Sequence, residues 1–147
     1  MSTYVGNVIS LFLSHHQKKE RIEKDYIVVN DKGILEDKFY DKDIERSILI
    51  TSLDSYAITK KLNIDMPYGS LGENILIDYN PYQLTPGTKI HIGNTLLEIS
   101  QYCTICNHLS SIDTRVPHLL KNDRGIFAKV LKKGDIKKGD KVELVEI

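Results

Sequence analysis

The chain has 147 residues, 41% hydrophobic and 27% charged, which fits one folded domain with an ordinary core. Its 20 basic and 20 acidic residues cancel to a formal net charge of +0. That argues against a nucleic-acid protein, which normally carries a basic surplus. No apolar run is long enough to cross a bilayer as a helix. The apolar stretch Val8 to Leu13 has no basic residue before it and no small-residue cleavage site after it, so a cytoplasmic protein without a signal peptide is expected.

The elements follow in order. Tyr4 to Ser14 reads as a strand, and His15 to Lys24 as a solvated connection. Asp25 to Asn30 is a short strand closed by the turn residues Asn30-Asp31-Lys32-Gly33. Gly33 to Tyr40 continues extended, then turns polar through Asp41-Lys42-Asp43. Arg46 to Thr51 is a strand with the apolar centre Ile48-Leu49-Ile50. Ser52 is a helix N-cap, and the helix runs to about Leu62. Ile75 to Ile77 is a strand, and Asn80-Pro81 and Pro86-Gly87 are turns. Lys89 to Ile92 and Thr95 to Ser100 form a hairpin around Gly93-Asn94. Asn107 to Asn122 is irregular or weakly helical. Gly125 to Leu131 and Val142 to Ile147 are strands, with turns at Lys132 to Asp135 and Lys138 to Asp140. Many short strands, close turn signals and one clear helix predict a mainly β, antiparallel barrel-like fold.

The chemistry concentrates at the end of the second hairpin strand. The only two cysteines, Cys103 and Cys106, form a Cys-x-x-Cys pair with His108 just beyond. Two thiols at that spacing can exchange a disulfide, pass a persulfide sulfur or bind one metal, whereas a buried cysteine is otherwise an inert small hydrophobe. His108 and His118 would be needed to complete a zinc site, and the spacing fits no common zinc pattern. A thioredoxin-like motif needs a strand–helix–strand context that the cysteines lack. Gly72, Glu73 and Asn74 offer a flexible backbone point, an acceptor and a mixed donor–acceptor, although spacing alone reads as a turn before a strand. Arg46 begins a strand and Arg124 precedes one, positions where a guanidinium can clamp an oxyanion or simply be solvated.

In combination these pieces resemble the MOSC family, named for the C-terminal domain of molybdenum cofactor sulfurase. The resemblance rests on Gly72-Glu73-Asn74 before Ile75-Leu76-Ile77 and on Pro86-Gly87-Thr88-Lys89-Ile90-His91-Ile92-Gly93. It continues through Leu97 to Gln101, a cysteine five residues beyond that glutamine, and Arg124 to Ile136 with Lys138-Gly139-Asp140. It covers nearly the whole chain and implies a small stand-alone member, residues 1–147 as one domain.

The implied fold is a MOSC-like antiparallel β-barrel with one clear helix and short helical connections. The implied function is binding of the molybdenum cofactor (molybdopterin), or carriage of sulfur on a cysteine, in molybdenum-pterin chemistry. The activities this implication admits are those of a molybdenum-cofactor-dependent oxidoreductase or a sulfurtransferase-like sulfur carrier, and whether the chain is an enzyme stays open. A non-catalytic delivery module and a small Cys/His metal protein stand as alternatives. The family cysteine falls on Cys106, as persulfide carrier or molybdenum ligand; Cys103 is an extra thiol whose proximity, rather than the resemblance, suggests that it resolves a persulfide or disulfide on Cys106. Arg46, Gly72, Glu73, Asn74 and Arg124 take the cofactor-binding positions. The expected partners are a pterin cofactor or small-molecule substrate and a sulfur-donor or redox protein. Pyridoxal phosphate binding is a family-level expectation. The chain departs from the family in lacking a histidine within Gly33 to Tyr40 and in having Ile105 before the cysteine.

Overall fold

The computed structural model describes residues 1–16, 21–103 and 107–146, without the side chains of residues 107 and 108. In chain order the elements are β1 (Ser2–Leu13), β2 (Ile22–Lys24), β3 (Tyr26–Asn30), β4 (Gly33–Ile34), β5 (Ile48–Ser52), helix α1 (Leu53–Lys61) and β6 (Ile75–Ile77). They continue with β7 (Lys89–Ile92), β8 (Thr95–Tyr102), helix α2 (Val116–Leu119), β9 (Ile126–Lys132), β10 (Gly134–Lys137) and β11 (Lys141–Val145). Short 3-10 turns occupy Ile44–Arg46 and Asn107–Ser111.

Seven strands close into a barrel in the order β1, β11, β7, β8, β9, β5, β6 and back to β1. The expected mainly β barrel is therefore what forms. Neighbours are antiparallel except β5 and β6, which run parallel. A parallel pair needs a crossover, and α1 lies within the connection that supplies it. Ser52 caps α1 as expected: its Oγ accepts from the Asp54 N–H at 3.1 Å.

Alternation decides which face of each strand is buried. Thr95, Leu97 and Ile99 of β8 point inward, while Leu96, Glu98 and Ser100 stay half-exposed. Ile48, Ile50, Ile75, Ile77, Ile90 and Ile92 join them in the barrel core. Each such side chain contributes roughly 1.5–3 kcal/mol relative to exposure. The unbroken apolar run of β6 has its reason in the outer layer. Leu76 faces away from the barrel into a second cluster with Tyr56, Ile64, Met66, Leu71, Leu109, Val116 and Leu120.

Three segments differ from the sequence reading. The expected solvated connection contains β2, which pairs with the end of β1. The turn read at Lys132 to Asp135 gives way to β10, whose backbone pairs with β3 in a small second sheet. The stretch Gly33 to Tyr40 is extended only through Ile34. Beyond it Glu36 adopts φ 72°, and the Asp37 carboxylate accepts from Ser14 N–H (2.7 Å) and Phe39 N–H (3.2 Å). One local hydrogen bond, from Phe39, and one long-range bond, from Ser14, thus hold a nominal strand as a loop.

Two buried tyrosines fasten α1 to the barrel. The Tyr82 hydroxyl accepts from Ser52 N–H at 2.8 Å and lies 2.7 Å from Ser55 Oγ. The Tyr56 hydroxyl donates to Glu73 Oε2 and accepts from Gly69 N–H at 3.1 Å. Burial pushes both phenols above their ordinary value, and the Glu73 carboxylate pushes Tyr56 further in the same direction. The unfolded chain ionises these phenols near pH 10 while the folded chain retains their protons. Their contribution is therefore intact below that pH and is lost above it. Stability in urea should fall by up to about 1.4 kcal/mol per pH unit for each of the two tyrosines above pH ~10. Tyr56→Phe should remove about half of that slope.

A second expectation concerns Gly125, at φ +153°, where an added Cβ would meet Leu49 Cδ1 at 2.9 Å. Gly125→Ala should lower unfolding free energy by about 1–3 kcal/mol in urea titration.

Candidate functional site: a cationic cleft at the barrel mouth

The ends of β1 and β8 and the starts of β5, β6 and β9 meet at one mouth of the barrel, where they frame a cleft of about 940 Å³. Its walls hold five cationic residues, Arg21, Lys38, Lys42, Arg46 and Arg124, against one carboxylate, Asp43. The aromatic side chains are Phe12, Phe39, Tyr68 and Phe127. A neutral chain therefore carries a local positive concavity, a shape that concentrates anions.

Asn74 builds the frame. Its Oδ1 accepts from Leu49 N–H at 3.0 Å, and its Nδ2 donates to Phe12 O at 3.3 Å. Its backbone N–H donates to Leu49 O (2.9 Å), and its carbonyl accepts from Phe12 N–H (2.8 Å). One side chain thereby ties β1 and β5 to the start of β6. Gly72, two residues earlier, adopts φ +82°, and an added Cβ would meet open space. Backbone conformation, not crowding, favours glycine there.

Glu73 points the other way. It is 0% exposed, and its Oε2 accepts from Thr51 Oγ1 at 2.8 Å and from the Tyr56 hydroxyl, while Oε1 has no hydrogen-bond partner. Arg21 braces the same turn, donating to the Glu73 carbonyl at 3.1 Å, to the Gly72 carbonyl and to Ser14 Oγ. Burial lowers its pKa, which nearby Asp37 and Glu73 partly offset.

The outer cations ride on the Asp37-anchored loop. Asp43 Oδ1 accepts from Glu45 N–H at 3.2 Å, and Glu45 bonds to Lys129 Nζ at 3.2 Å, which also reaches Glu98 at 3.3 Å. These contacts seat the turn Ile44–Arg46 on the barrel wall. Arg46 then lies with Cζ 4.7 Å from the Phe127 ring centroid, a cation–π arrangement that leaves guanidinium edges to point elsewhere.

Arg124 occupies the deep end. It is 4% exposed, and its Nε and Nη1 have no hydrogen-bond partner. The next residue, Gly125, accepts at its carbonyl from Cys103 N–H at 3.0 Å, so the end of β8 and the approach to β9 are locked side by side. Cys103 is 8% exposed and lines the cleft.

Of the residues singled out from sequence, Arg46, Gly72, Asn74, Cys103 and Arg124 meet at this cleft, and Glu73 supports it from behind. Cys106 and the side chain of His108 lie outside the described residues. Among the described residues no group of three or more His, Cys, Asp or Glu is placed to hold a metal ion. Sequence reasoning missed Arg21, Asp37, Lys38, Lys42 and Phe127. The mixed basic and aromatic run Lys38 to Lys42 carried a faint signal, whereas Arg21 sits in a polar run with none.

Comparison with known proteins agrees with this architecture. The YuaD protein from Bacillus subtilis superposes with a TM-score of 0.77 at 16% identity, covering 98% of this chain and 96% of that one. YiiM from Escherichia coli gives 0.71 at 15%, covering 96% and 70%, and YiiM from Geobacillus stearothermophilus gives 0.71 at 15%, covering 99% and 76%. At such identities the likeness is one of fold. No curated protein matches the sequence. Pyridoxal phosphate receives no support from any of these comparisons. Among the described residues no helix is long and apolar enough to cross a membrane. The MOSC domain model matches residues 15–143. The chain belongs to the MOSC domain family, which supports a function related to molybdenum cofactor sulfurase at the level of the family.

Proposed function

We propose that the cleft binds the phosphorylated pterin of the molybdenum cofactor and that Cys106 serves as the sulfur carrier or molybdenum ligand beside it. The observation that carries this reading is the cleft itself: five cations around about 940 Å³, with Cys103, three residues before Cys106, in its lining. The described residues suit such a ligand. Buried Arg124 has two nitrogens without acceptors, which fits an anionic group. Phe12, Phe39 and Phe127 add aromatic surface to the lining, which suits a flat heterocycle. The volume lies within the range of small-molecule sites.

In this reading Lys38, Lys42, Arg46 and Arg124 hold the ligand's negative groups. Arg21 and Asn74 keep the walls in place through their backbone hydrogen bonds. A thiolate is a soft ligand and a good sulfur nucleophile, and an electropositive cleft favours that form. The cofactor, when bound, supplies redox chemistry at molybdenum. The chain's own share is to bind it, orient it and present sulfur.

The test is to purify the full chain from a host that makes the cofactor and to measure molybdenum, pterin, zinc and cyanide-labile sulfur. Wild type should carry molybdenum and pterin, or labile sulfur, and Cys106→Ser should lose them. A Cys106→Ser protein with full content of both would overturn the reading. Zinc instead, lost on combined Cys103→Ala and Cys106→Ala substitution, would replace it with a metal-binding role. Arg46→Gln should weaken cofactor retention by about tenfold, as expected for one charge-assisted contact of about 1.5 kcal/mol.

A further inference from the structure

The cations of the cleft fall into two sets. Lys38, Lys42 and Arg46 sit on the loop outside the barrel, where Lys42 and Arg46 are exposed. Arg124 is buried at the start of β9, adjoining the end of β8 where the cysteine pair begins. We propose that Arg124 forms an inner oxyanion subsite at the cysteine end of the cleft, separate from the outer cations. It would take a small inorganic oxyanion or the oxyanionic head of the molecule that reacts at the thiols. The outer set would then be left for a distant phosphate.

The neighbours of Arg124 support this division. Glu73 gives Oε2 to Thr51 and Tyr56, and neither Glu73 oxygen accepts from Arg124 Nε or Nη1. Asp37 gives its oxygens to Ser14 N–H and Phe39 N–H. Arg21 commits its donors to two carbonyls and a hydroxyl, and its charge adds to that of Arg124. Arg124 thus places two buried guanidinium donors without protein acceptors at the deep end, where the buried Glu73 Oε1 also lacks a partner, and a buried guanidinium normally has its N–H groups paired. An oxyanion offers several acceptor oxygens at once. Gly125 keeps the geometry tight, because an added Cβ would meet Leu49 Cδ1 at 2.9 Å and the residue adopts φ +153°.

This inference deepens the cofactor reading, but inorganic phosphate measures it without any cofactor. Calorimetric titration of the reduced full chain with phosphate should show one site. Arg124→Gln should weaken that site at least about tenfold, the loss of one charge-assisted hydrogen bond. Lys42→Gln and Arg46→Gln, at exposed positions, should change it less than about threefold. Circular dichroism melts establish that each variant is folded. A measurement on wild type alone covers an Arg124 variant that does not fold. Alkylation of Cys103, located by mass spectrometry, should favour anionic iodoacetate over neutral iodoacetamide, and added phosphate should erase that preference. Three results would overturn the subsite: no phosphate binding and no reagent preference in wild type, unchanged binding in folded Arg124→Gln, or loss through Lys42 and Arg46 instead. Phosphate binding at Arg124 in a protein that never acquires pterin would leave the subsite standing and remove only the cofactor reading.

Discussion

Four hydrogen bonds centred on Asn74 tie β1, β5 and β6 together at the end of the barrel that opens into the cleft. The rest of the site hangs from that junction. β6 follows directly from it, with Ile75 and Ile77 in the barrel core and its two edges paired to β1 and β5. Arg21 grips the carbonyls immediately before Asn74, and Glu73 reaches back to Thr51 and Tyr56. A short polar signature thus does structural work on one side and shapes a binding surface on the other. Buried amide side chains suit this role, since an amide both donates and accepts and can satisfy two strand edges at once.

The electrostatics follow the same division. Asp43 lines the cleft, but other nearby carboxylates lie behind or outside it and are engaged there: Glu73 with two hydroxyls, Asp37 with two backbone N–H groups, Glu45 with Lys129. Cations line the cavity. A chain with no net charge can therefore present a concave positive surface, because hydrogen bonding has committed much of the nearby negative charge elsewhere. Arg124 is the extreme case, a guanidinium removed from water with nitrogens left unpaired.

Much of the fold was legible in the residues. The β7–β8 hairpin followed from alternating apolar residues around Gly93-Asn94, and the capped helix from Ser52 ahead of a polar-flanked helical run. β2, β4 and β10 were harder to read because their pairings are short and made by backbone groups, with little side-chain pattern to mark them. The parallel pairing of β5 with β6 also had no local signature, since which strands become neighbours depends on how the whole sheet closes.

The candidate site divides in a similar way. Local sequence alone determined the barrel-forming strands, the helix cap, and the resemblance carried by Gly72-Glu73-Asn74, the cysteine pair and Arg124-Gly125. Tertiary structure decided which of those residues share a cavity. It turned the Glu73 side chain inward to Thr51, buried Arg124, and brought Arg21 and the Lys38–Arg46 loop to the same mouth. The reason is physical. Strand propensity and capping act over neighbouring residues, whereas burial, charge opposition and unpaired donors arise only when segments distant in the chain are packed together.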